Sequence, residues 1–263
     1  MVKTCSQWAG IEKTKGYCNM TTFTTSIQAI DGYVAMALRA ATELDEAGTK
    51  QTSIKLAAWG AALSVQQGLE ANGRMVRALV NAGYINQPLP RAYAELKPLF
   101  AGKGMFGEAH HKALLRVEEL AEAGKLNFML AVPQFLHEQR EQRERAHSLL
   151  TGYGFGYKAI SMIPLIIAPL QCQVVPIDRH HLARLDCRNS KGKLLDGATA
   201  SRSSYEAIEQ RIVCERLEWA RVDVSVCVFA WAMWEAWRKE KAASSKADSE
   251  HAESHKNLSA RWY

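Results

Sequence analysis

The sequence predicts an all-α protein. Two observations carry this reading: apolar residues recur at helical spacing through most of the chain, and no segment shows the strict alternation of a half-buried strand. Glycine and proline clusters then cut the periodic stretches into separate helices. With 263 residues the chain is long enough for one sizeable domain or two small lobes around a cleft.

Residues 1–20 read as an N-terminal extension: Lys3 is present but no apolar core follows it, so no secretory signal is expected. The helical domain is expected over 21–240. Ile27, Ile30, Val34, Leu38 and Leu44 mark its first helix, with Thr24, Thr25 and Ser26 as candidate caps and Gly48 as a stop. A second block spans 54–80, interrupted by Gly60, Gly68 and Gly73. Pro88 and Pro90 make 86–90 a turn, because each biases its predecessor away from the helical region. A helix over 91–100 and a glycine-rich loop over 102–107 follow. Leu114, Leu115, Val117 and Leu120 then share one face of a helix over 108–123, stopped by Gly124. Residues 128–150 read as helical, with the charged run 138–145 expected to face solvent. An apolar helix is expected after Gly156, a polar loop over 186–204, and helices over 205–219 and 222–240. From Lys241 to the end the composition is that of a disordered polar tail.

The net charge of +6 is a mild bias toward polyanionic partners and decides nothing alone. Residues 160–170 are too short and proline-interrupted to span a membrane, and 224–234 ends at Glu235. Cys5, Cys18, Cys172, Cys187, Cys214 and Cys227 are scattered, which fits reduced thiols and a cytoplasmic location.

Chemistry concentrates over 152–185. Gly154-Phe155-Gly156-Tyr157-Lys158 links two expected helices. Two glycines permit positive φ and clear side chains from the backbone N–H groups, which with the next helix N-terminus suit a phosphate. A P-loop would need Gly-Lys-Ser/Thr, and a dinucleotide fingerprint would need a preceding strand; neither is here. On the glycines alone, an ordinary interhelical turn is the simpler reading.

Lys158 and Asp178 change that. A helix over 156–170 would run about 22 Å. The stretch 171–177 could return about 23 Å if extended, enough to bring Asp178 back beside Lys158. Pro176 blocks earlier helix formation, and Asp178 is a good N-cap for a helix over 179–185.

Gly-Phe-Gly-Tyr-Lys, with Val-Pro-Ile-Asp-Arg-His placing its aspartate twenty residues after the lysine, resembles the helix-hairpin-helix DNA glycosylase superfamily. The Ile-Asp-Arg-His form is most similar to the archaeal-type 8-oxoguanine DNA glycosylases. The likeness covers about residues 150–185. It implies a two-lobed helical glycosylase fold with a central cleft and a helix-hairpin-helix at about 140–170. It also implies Lys158 as nucleophile and Asp178 as the active-site carboxylate of a bifunctional glycosylase and lyase that excises an oxidised purine. Gly154, Gly156, Tyr157, Arg179 and His180 would contact double-stranded DNA carrying the modified base, and Trp231 and Trp234 would help form the base pocket. The chain departs from the pattern at Gly152-Tyr153, at Pro164 within the expected helix, and at His181, a second histidine after the triplet.

No cofactor is expected apart from a monovalent cation at the hairpin. The dispersed cysteines rule out the four-cysteine iron–sulfur pattern of some relatives. The pairs His110–His111 and His180–His181 diverge on a helix and lack further ligands, so no metal site is expected. Trp231, Trp234 and Trp237 at three-residue spacing also fit plain core packing. Two other functions share these residues. One is a glycosylase-fold enzyme acting on a hypermodified or deazaguanine-like base, as in phage defence. The other is a non-catalytic helix-hairpin-helix module binding DNA or protein, which would need only the glycines.

Overall fold

The computed structural model describes residues 27–51, 54–64, 69–189, 191–193, 195, 201–219, 221 and 223–244. The expected extension over 1–20, the cap candidates Thr24, Thr25 and Ser26, and residues 245–263 of the expected tail lie outside these, whereas residues 241–244, also expected in the tail, are helical. Ten α-helices are found among the described residues, and the fold is all-α. They are α1 (Ile27–Gln51), α2 (Ile54–Leu63), α3 (Leu69–Asn81), α4 (Tyr93–Leu96), α5 (Glu108–Glu122), α6 (Leu136–Leu150), α7 (Tyr157–Ile167), α8 (Arg179–Arg184), α9 (Arg202–Glu218) and α10 (Val226–Ser244). Short 3₁₀ turns occupy Lys97–Phe100 and Asn127–Met129. No described helix is long and apolar enough to cross a membrane.

Where the helices end follows local chemistry. Gly124 takes φ +66° just beyond α5, a left-handed stop that its missing Cβ permits. Gly48 does not stop α1, which continues to Gln51. Pro98 tightens the second half of the expected 91–100 helix into the 3₁₀ turn. The helix expected over 128–150 begins only at Leu136: Pro133 has no N–H to donate and disfavours helical geometry at Val132. Ser201 caps α9, its hydroxyl accepting from Ser204 N–H.

Two large hydrophobic clusters form. The first joins α2, α3, α5 and the 3₁₀ turns to Ala146, Leu150, Phe155 and the α7 residues Ala159, Ile160, Met162 and Ile163. The second joins α1, α8, α9 and α10 around Val175, Ile177, Tyr205 and Phe229. α1 lies along α10 through Val34, Ala37 and Ala41, while Leu38 is exposed; small residues let the two axes approach. α7 borders both clusters, since Tyr157 packs on the second.

The charged run 138–145 faces solvent only in part, at Glu141 and Arg145. Gln139 and Arg143 are buried, and Arg143 Nη1 lies 2.8 Å from Glu209 Oε1 on α9. Arg140 pairs with the other Glu209 oxygen at 2.7 Å. A buried carboxylate between two guanidiniums satisfies charges that isolated burial would penalise heavily.

Candidate active site

α6 ends at Leu150, and Thr151 N–H closes back on His147 O at 2.8 Å. The turn then reverses through Gly152 and Gly154, both at φ +83°. Gly156 is different: its φ of −93° and ψ of 177° are ordinary extended backbone, and it serves as the N-cap of α7. The left-handed positions are therefore Gly152 and Gly154, a correction to the expectation for the Gly154–Gly156 pair. Buried Phe155 anchors the turn in the first cluster. A Cβ at Gly152, Gly154 or Gly156 would meet nothing within 4 Å, so the outer face of the turn is open. The first N–H groups of α7 emerge there without helical acceptors, an arrangement that can hold an anion. Tyr157 contributes only its backbone, because its ring stacks on His147 (4.5 Å, 6°) and packs against Tyr205.

Lys158 stands in the first turn of α7, half-buried. Among the described residues it carries no hydrogen bond or ion pair. Burial pulls its ammonium below the ordinary lysine range; the Asp178 carboxylate opposes this and Arg179 adds to it. Lys158 thus lies within electrostatic reach of both residues at the start of α8.

α7 is shorter than the sequence suggests. It ends at Ile167 after eleven residues, about 16 Å, so the return to Asp178 is correspondingly shorter. The returning segment forms no sheet, and side chains from two helices satisfy its backbone. Gln139 Oε1 accepts from Gln173 and Val174 N–H, and Glu209 Oε1 accepts from Val175 N–H at 2.9 Å. The Tyr205 hydroxyl accepts from Ile177 N–H at 2.8 Å and donates to Val175 O at 2.7 Å.

That cradle delivers Asp178 to the N-cap of α8. Its Oδ1 accepts the N–H groups of His180 (2.9 Å) and His181 (3.0 Å). The imidazole Nδ1 of His181 lies 2.9 Å from Oδ1, and that of His180 lies 3.1 Å from Oδ2. Burial pushes the Asp178 carboxyl up, but the bonds from both histidine side chains, the His181 charge and its N–H outweigh it. The acid is held well below the usual carboxylate range.

His180 packs edge-on against Trp234 (5.7 Å) and Trp237 (6.1 Å) of α10. Trp234 carries the Arg238 guanidinium over its ring at 4.5 Å, and its Nε1 is buried without a partner. Trp231 instead packs on the second cluster and is not among the ring partners of His180. Arg179 is exposed beside the site. The structure therefore gathers Lys158, Asp178, Arg179, His180, Trp234 and Trp237, with the open turn at Gly154 and Gly156 on the same short stretch as Lys158. Sequence reasoning did not find Gln139, Tyr205 or Glu209, the residues that hold the returning segment. They lie 28 to 35 positions from the backbone groups they serve, and no local pattern marks them. No group of three or more metal-ligating side chains converges among the described residues.

A half-buried amine with a weakened hold on its proton, next to a carboxylate fixed in its ionised form, can combine nucleophilic attack with stabilisation of adjacent positive charge. Comparison with protein-family models, curated proteins and solved structures finds no match to this chain.

Proposed function

We propose that the chain is a DNA glycosylase with lyase activity, acting on an oxidised purine of the 8-oxoguanine type in double-stranded DNA. The observation that carries this reading is that Lys158 lies within electrostatic reach of Asp178: burial favours the neutral amine, and four hydrogen bonds favour the anionic carboxylate. The open glycine turn and exposed Arg179 add groups suited to phosphate. In this reading α6, the turn and α7 form a helix-hairpin-helix, and the two hydrophobic clusters are the cores of two lobes flanking a cleft.

The target nucleotide is first extruded from the stack, since neither group reaches a sugar carbon in an intact duplex. As the bond between C1′ and the base breaks, positive charge builds on the sugar and the Asp178 carboxylate stabilises it. The base departs with the bonding electrons and takes up a proton. The neutral Lys158 amine bonds to C1′ and loses a proton, the sugar ring opens, and a Schiff base forms. Loss of a C2′ proton then expels the 3′ phosphate and nicks the strand. His180, Trp234 and Trp237 stand beside the carboxylate and offer a polar and aromatic lining for the extruded base. The test is borohydride trapping on duplex DNA containing 8-oxoguanine, where an adduct lost in Lys158→Gln supports the reading.

A further inference from the structure

Donors are unevenly shared between the two oxygens of Asp178. Oδ1 faces three, the N–H groups of His180 and His181 and the His181 ring, whereas Oδ2 faces only the His180 ring. His181 is buried, 6% exposed, and its Nε2 has no partner. Its Nδ1 has two neighbours with opposite demands: Asp178 Oδ1 at 2.9 Å needs a donor, and Asp178 N–H at 3.3 Å needs an acceptor.

One protonation state satisfies the stronger demand. With the proton on Nε2 alone, a buried N–H lacks an acceptor and the Nδ1 lone pair faces an anionic oxygen. With a proton on Nδ1, the ring donates a charge-assisted hydrogen bond, roughly twice as strong as a neutral one, and forgoes only the longer contact.

We propose that His181 is a positioning residue whose Nδ1–H pins Oδ1 of Asp178, fixing the carboxylate plane and leaving Oδ2 to face the substrate. This rests on the functional reading above. His180 lies differently, since its ring is partly exposed, bonds Oδ2 and meets Trp234 and Trp237. It can yield Oδ2 when a base enters, whereas buried His181 holds Oδ1 throughout.

The test has two arms. Long-range ¹H–¹⁵N NMR of the full chain, with the His181 ring identified by its loss in His181→Asn, reads the proton position directly. A proton on Nδ1 is expected, and a ring protonated at Nε2 alone overturns the inference. In the second arm, Asn at 181 presents an amide donor from the same Cγ and retains most of the single-turnover trapping rate. His181→Leu slows that rate about 10²-fold, with DNA affinity unchanged. Equal rates for the two variants also overturn it. Absence of any adduct with the unaltered chain counts against the functional reading instead, and the NMR arm then decides the inference alone.

Discussion

The hydroxyl of Tyr205 bridges Ile177 N–H and Val175 O at 2.8 and 2.7 Å, one residue before the carboxylate that caps α8. A single side chain on α9 thus sets the height and direction at which Asp178 enters its helix. Tyr205 itself is 1% exposed, so no water replaces its oxygen. Tyr205→Phe removes both of its bonds and leaves the two buried backbone groups only their own 2.9 Å contact with each other, a loss expected to cost about 1 kcal/mol. Urea unfolding measures this, and an unchanged midpoint would argue against the bridge.

Glu209 ties the same segment to α6. It accepts from Val175 N–H and pairs with Arg140 and Arg143. Glu209→Ala leaves buried Arg143 only its longer 3.7 Å pair with Glu206, and breaking a buried pair typically costs about 3–5 kcal/mol. Glu209→Gln keeps an acceptor for Val175 and is expected to lose less. Comparing the two by denaturant unfolding separates the charge from the hydrogen bond.

Lys158 sets function against stability. Its folded pKa is lowered by burial, so the folded chain binds fewer protons than the unfolded chain between that value and the ordinary one, about 10.4. Its contribution to stability therefore rises with pH across that window and is least favourable below it. Lys158→Met removes this burden and is expected to raise the urea midpoint at pH 7 while abolishing trapping. The trapping rate of the unaltered protein should climb with pH and level off below the free-lysine range. A midpoint lowered by the substitution would contradict this account of the site.

The two glycines flanking Phe155 separate folding from binding. Gly154 is left-handed, so Gly154→Ala is expected to cost about 1–2 kcal/mol of stability. Gly156 has extended backbone and open space around it, so Gly156→Ala loses only the N-cap preference for glycine over alanine and lowers the melting temperature less than Gly154→Ala. On the proposed function it weakens DNA affinity by standing a methyl group where a phosphate approaches. Melting curves and binding isotherms for the two variants check the split.

Residues whose effect is local were legible in the sequence. Asp178 caps a helix after Pro176, Gly124 stops α5, and the helical class follows from apolar spacing. What escaped depends on distant partners. The 138–145 run has a solvent-face composition, yet Arg143 is buried because Glu209 lies opposite it, 66 positions away. Assigning left-handed geometry to Gly156 rather than Gly152 fails for a different reason. Glycine tolerates either backbone region, and its identity does not say which one the turn uses. His181 stood out in the sequence only as an added histidine; its hold on Asp178 emerges from the cap geometry.

Borohydride trapping on duplex DNA containing 8-oxoguanine tests the central claim most directly. The account predicts a covalent protein–DNA adduct that disappears in Lys158→Gln and is strongly reduced in Asp178→Asn. An adduct that persists in Lys158→Gln, or none across a panel of oxidised purines in duplex DNA, would contradict it.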